Sequence, residues 1–136
     1  MRWNSRTLLF TSALMLPLGL AAFGSPQDGD AALKNPVPVN ATTLAEGKQL
    51  FTKTCASCHG PLGKGDGKGG AMLKPLPADL TDEMWQHGST DAEVFTVIRD
   101  GVKGTGMRGF AGRMTAKELW TVLNYTRSLG PAKGRT

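Results

Sequence analysis

Cysteine and histidine are scarce in this sequence: 136 residues contain two of each, with a single tyrosine. A four-ligand zinc centre needs two cysteine pairs, or cysteines with paired histidines. Cys55, Cys58, His59 and the distant His87 do not supply that pattern. No segment alternates apolar and polar residues over a useful length, which argues against a sheet-based fold. Like-charged runs are missing too. The formal net charge is +5, but the cations are scattered, which disfavours nucleic acid as the default partner and leaves an acidic protein surface as the simpler one. The longest apolar stretch, Leu8 to Phe23, is broken by Thr11, Ser12 and Pro17 and falls short of the ~20 residues of a bilayer span. No cysteine follows it, so a lipid-modified N-terminus has no acceptor.

What is present at the N-terminus has the layout of a signal peptide. Arg2 and Arg6 precede the apolar stretch, and Ala22 and Gly24 supply small residues for a cut near Gly24. Residues 1–24 are therefore expected to direct export to the periplasm, with an uncleaved membrane anchor as the alternative. Cleavage after Gly24 removes two arginines and lowers the formal charge to +3. Outside the cytosol two free thiols tend to oxidise, so Cys55 and Cys58 need a partner.

Pro26, Pro36 and Pro38, with Asp28, Gly29 and Asp30, show no apolar periodicity. Residues 25–41 are thus expected to form a flexible linker, followed by one domain over 42–132 and a tail over 133–136. Within the domain, Leu44, Gly47, Phe51 and Cys55 share one face of a first helix. Six glycines between Gly60 and Gly70, followed by Pro75 and Pro77, exclude regular structure there. A short helical turn is expected from Thr81, carrying Met84 and Trp85. Thr90 with Glu93, and Thr115 with Glu118, make two capping boxes that open further helices, ended by Gly101 and by Gly130-Pro131. The expected fold is all-α, with three main helices and long loops. So few short helices cannot fill a core unaided.

Cys55-Ala56-Ser57-Cys58-His59 matches the Cys-x-x-Cys-His signature of c-type haem attachment, in which two thiols bind the haem covalently and the adjacent histidine binds its iron. One haem c would also fill the deficient core. Other readings fit less well. A thiol-redox pair calls for a βαβ setting, and a disulfide between residues three apart closes too small a loop to stabilise much.

From about Thr43 to Gly130 the chain resembles the class I c-type cytochromes. The matching pieces are Gly47 and Phe51, the Cys55–Gly60 signature, Gly63-Lys64-Gly65-Asp66-Gly67, Pro77-Ala78-Asp79-Leu80, Gly106-Met107, and Leu119-Trp120 with Tyr125. The resemblance implies the cytochrome c fold around one covalent haem and an electron carrier without substrate chemistry, free or as a subunit of a dehydrogenase or oxidase. It implies Cys55 and Cys58 as attachment points, His59 and Met107 as axial ligands, and the backbone carbonyl of Pro77 as acceptor for the second ring nitrogen of His59. Met114 and His87 are rivals to Met107, whereas Met72 and Met84 read as packing. The family often has proline after the ligand methionine. Here Arg108 follows, which leaves the loop less rigid and keeps open a haem protein with an exchangeable sixth position, peroxidase-like or ligand-sensing. Gly47 is expected to meet Val122 and Tyr125 where the terminal helices cross, and Trp85 or Trp120 to reach a haem propionate. Lys64, Lys68, Lys74, Lys103, Arg108 and Arg113 surround the expected haem edge and suit redox partners with an acidic docking surface.

Overall fold

The structure is a computed structural model and describes residues 33–131. The expected signal peptide over 1–24, most of the linker and the tail over 133–136 lie outside the described residues. Four α-helices and a one-turn 3-10 helix account for the regular structure: α1 Ala41–Thr54, α2 Ala56–His59, the 3-10 turn Lys68–Gly70, α3 Asp91–Asp100 and α4 Ala116–Leu129. Among the described residues there is no strand, only two isolated bridges. The fold is all-α, as the periodicity requires.

Both capping boxes form. Thr90 accepts from the Glu93 amide while Glu93 accepts from the Thr90 amide, and Thr115 and Glu118 repeat the pattern, which fixes where α3 and α4 begin. Those amide hydrogen bonds hold both glutamates below the usual carboxylate range. A third box opens α1, where Asn40 and Thr43 exchange side-chain and backbone bonds of 3.0 and 3.1 Å.

Helices α1 and α4 pack across each other at Gly47. A Cβ there would lie 2.5 Å from the Thr121 carbonyl oxygen and 2.7 Å from the Tyr125 Cβ, so Thr121 rather than Val122 is the closest backbone at the crossing. Phe51 and Tyr125 meet beside it, ring centroids 5.4 Å apart, and Phe51, Val122 and Leu123 are fully buried. Alanine normally favours a helix over glycine by about 1 kcal/mol, but here the clash is with backbone, which cannot rotate away. Gly47→Ala is therefore expected to destabilise the protein by roughly 1–3 kcal/mol, the usual cost of overpacking. An unchanged or raised melting temperature would contradict this. On the far side of α4, Trp120 stacks on Phe95 of α3 at 4.2 Å.

Three expectations change. The glycine stretch, expected to hold no regular structure, contains the 3-10 turn Lys68–Gly70. The end of the supposed linker is part of the body: Val37 is buried, the Asn124 side chain donates to its carbonyl at 3.1 Å, and Asn35 donates to Asn124 at 2.7 Å. Asn124 is itself buried in α4 and requires these partners. Residues 81–84 form turns and bends instead of a helix, with the Asp79 carboxylate bonding the Thr81 amide and hydroxyl in a local turn.

Candidate functional site

Side chains from α1, α2, α3 and the loops between 73 and 113 enclose a cleft of about 800 Å³. Its volume falls within the range of cofactor sites, ~300–1,000 Å³. Cys55, Cys58, His59, Pro77 and Met107 all line it. Helix α1 ends at Thr54 and α2 turns the chain back through one turn, so Cys55, Cys58 and His59 leave adjacent positions of a single bend. The glycine loop then wraps this bend, with the Gly65 amide donating to the His59 carbonyl at 2.8 Å and the Gly67 amide to the Cys58 carbonyl at 3.1 Å.

The two cysteines are not joined in a disulfide. Burial pushes the Cys55 thiol up, opposed by a 3.3 Å contact with the Thr54 hydroxyl, while the Cys58 charge adds to the rise. A redox-active pair needs a thiol pulled the other way, towards thiolate.

His59 Nδ1 lies 3.0 Å from the carbonyl oxygen of Ala78, not of Pro77. Residues 76–79 lie in no helix or strand, and the carbonyls of Pro77 and Ala78 have different neighbours. The Pro77 carbonyl approaches Gly65, whose φ of +74° and missing side chain permit the contact. The expected acceptor thus shifts by one residue, while Pro77 remains in the wall.

Met107 sits in a loop fastened to the end of α3. Its amide donates to the Thr105 hydroxyl at 3.1 Å and its carbonyl accepts from the Val102 amide at 2.9 Å. Thr105 in turn donates to the Val102 carbonyl at 2.9 Å, and the amides of Phe110 and Ala111 reach the Ile98 and Arg99 carbonyls at 3.0 and 2.8 Å. Those two carbonyls belong to the last turn of α3, where intrahelical partners run out. This hydrogen bonding ties down the loop that Arg108, lacking a proline ring, was expected to leave loose.

The rival residues divide clearly. Met114 packs against the core and does not line the cleft. Met72 and Met84 are 91% and 86% exposed, so the packing expected of them is not found among the described residues. His87 lines the cleft at its exposed edge, as does Trp85, whose indole N–H donates to the Asp82 carbonyl at 3.2 Å. Trp120 is buried outside the cleft. Lys64, Lys68, Lys74 and Lys103 are exposed and outside the lining, whereas Arg108 and Arg113 line it. Sequence reading missed Lys53 and Thr54, which line the cleft from the last turn of α1. Their positions five and four residues before Cys58, in the turn that leads into the attachment motif, were the available signal.

The lining fits a c-type haem. Leu73, Val94, Val97, Ile98 and Phe110 give an apolar body, two thiols and an imidazole stand together, and a thioether is available. Lys53, Arg108 and Arg113 would serve as counterions for a group bearing two carboxylates, and among the described residues Asp79 is the only acid in the lining.

Comparisons with known proteins agree. The family model described as cytochrome c oxidase, cbb3-type, subunit III, matches residues 42–125. A cbb3-type cytochrome c oxidase subunit FixP from Azorhizobium caulinodans is 32% identical over 98% of this chain and 46% of its own length. The FixP subunit from Bradyrhizobium diazoefficiens is 34% identical over 65% of this chain and 28% of its own. The chain thus spans less than half the length of these curated relatives. Among solved structures, a chain of the reducing HAO-like protein complex of Kuenenia stuttgartiensis superposes with a TM-score of 0.63 at 26% identity, covering 73% of this chain and 50% of that one. Cytochrome cL of Methylophaga aminisulfidivorans, at 22% identity, shares the fold with a TM-score of 0.58 over 71% of this chain and 62% of its own. With the matched span running from the first turn of α1 to Tyr125 of α4, and so including every residue of the cleft lining except Thr126, this chain belongs to the cbb3-type cytochrome c oxidase subunit III family and is a c-type cytochrome.

Proposed function

We propose that this protein is an exported electron carrier with one haem, linked covalently through Cys55 and Cys58 and ligated axially by His59 and Met107. The observation that carries the reading is the gathering of these four residues on one cleft, which Met114, Met72 and Met84 do not join. When bound there, haem supplies a one-electron Fe(III)/Fe(II) couple. The chain's own residues do the rest. His59 donates its Nδ1 proton to the Ala78 carbonyl, which fixes the tautomer and leaves Nε2 as the metal-binding nitrogen. Thr105 and Val102 hold the backbone of Met107 so that its thioether is offered without a search through loop conformations. Apolar side chains exclude water, and Lys53, Arg108 and Arg113 meet the carboxylates. With both axial positions filled, the chain has no catalytic residues.

The test is the visible spectrum of protein secreted by cells with haem-attachment machinery, oxidised and reduced, before and after extraction with acidic acetone. Colour that stays with the protein, together with the weak long-wavelength methionine-to-iron band, is the expected result. A colourless chain would overturn the reading.

Similarity to FixP subunits supports electron transfer as the cytochrome subunit of an oxidase, and a free periplasmic carrier is the alternative form of the same role. Lys64, Lys68 and Lys74 are exposed on the same loops as Leu62, Met72 and Leu76, which are also exposed. Such a face suits a partner with acidic groups around an apolar centre. Electron-transfer rate with that partner should fall steeply as ionic strength rises; a flat salt dependence would remove the electrostatic component.

A further inference from the structure

The cleft wall over residues 85–88 has little of its own to hold it. Trp85, Gln86, His87 and Gly88 all line the cleft, yet they lie in no helix. Among the described residues, the segment from 82 to 88 makes no backbone hydrogen bond to another element. Its hold on the body comes from side chains: Trp85 packs against the core and is covered by Arg127 from the last turn of α4. The Arg127 side chain is only 11% exposed. Its Nε donates to Asp91 Oδ1 at 2.9 Å, Nη2 donates to the Ser89 carbonyl, and the guanidinium carbon sits 4.6 Å from the centre of the Trp85 ring. One planar group therefore engages the start of α3, the loop before it and the indole that lines the cleft. A cation in the last turn of a helix ordinarily serves that helix's own dipole. Here its hydrogen bonds go elsewhere.

We propose that Arg127 is a positioning residue for the cofactor cleft: anchored on Asp91 and Ser89, it holds Trp85 in the wall and so keeps water from the haem. The proposal rests on the haem reading above and deepens it, by naming a residue that sets the haem's environment without lining the cleft. Water admitted beside a haem favours the more highly charged oxidised form, so loosening the wall lowers the reduction potential. Lysine cannot replace arginine at this site, because an ammonium has no planar fork to bridge Asp91 and Ser89 while stacking on an indole.

The experiment measures covalent haem content, reduction potential and melting temperature of the holoprotein, wild type against Arg127→Lys and Asp91→Ala. Arg127→Lys keeps the charge, so a purely electrostatic role predicts no change. Positioning predicts a ratio of oxidised to reduced haem raised about threefold to tenfold at fixed solution potential, where tenfold corresponds to 59 mV for one electron. Asp91→Ala separates the two roles by sign, since loss of an anion alone raises the potential whereas loss of the anchor lowers it. It also stands as the second test should Arg127→Lys fail to fold. An unchanged potential with a lower melting temperature in Arg127→Lys, or a raised potential in Asp91→Ala, overturns the proposal. A wild type without covalent haem overturns the underlying reading and the proposal with it.

Discussion

Replacing Cys55 and Cys58 together with serine is expected to give a chain that carries no covalent haem and does not fold cooperatively. The reason lies in the packing. The buried apolar residues form a cluster around α3, α4 and Phe51, and the side chains of α1, α3 and the loops leave a cleft of about 800 Å³ beside it. Without the cofactor the cleft fills with water, and its apolar lining loses burial in a domain of a kind stable by only ~5–15 kcal/mol. Water entering the cleft would wet the half-buried Leu73, Val97 and Phe110 of its lining, apolar surface that the cofactor would otherwise cover. Far-UV circular dichroism through a thermal melt checks the result. The expected trace is a shallow, non-cooperative loss of helix, whereas a sharp transition at the temperature of the wild-type holoprotein would show that the helices stand without the cofactor.

Much of this architecture can be read in the sequence because it is local. A capping box is four residues long, and Thr90-Asp91-Ala92-Glu93 and Thr115-Ala116-Lys117-Glu118 carry all the atoms that start α3 and α4. Cys55 to His59 is likewise a five-residue signal. What escaped depends on partners far along the chain or on the direction of a single peptide plane. Val37, between two prolines, has the local chemistry of a tether, and only Asn124, 87 residues later, makes it part of the core. Whether Pro77 or Ala78 faces His59 is decided by the direction of one peptide plane in an irregular loop, to which composition is blind. Asn40 and Thr43 form a capping box with threonine in place of the usual glutamate, which hid the true start of α1. Arg127 carries no local signal, because its partners, Trp85, Ser89 and Asp91, lie on another segment.

Met107→Ala is the substitution with the largest expected effect on electron transfer that leaves the haem attached. The thioether favours reduced iron, so removing it should abolish the long-wavelength band and lower the potential by on the order of 100 mV or more, within the ~0.8 V span that axial ligands command. Carbon monoxide should then bind the reduced protein at neutral pH, which the wild type should resist. Met114→Ala should leave the band intact, because Met114 packs on the core beside Leu119 and is absent from the cleft. His87 supplies the instructive complication, since it shares the cleft. If His87 takes the position that Met107 leaves, the variant stays low-spin and refuses carbon monoxide, and the double variant Met107→Ala, His87→Ala regains the reactivity. A band that survives Met107→Ala would instead move the sixth ligand elsewhere. Carbon monoxide binding to the wild type would mean that the bonds from Thr105, Val102 and α3 fix the loop backbone without securing the thioether, and the protein would then have an exchangeable iron position.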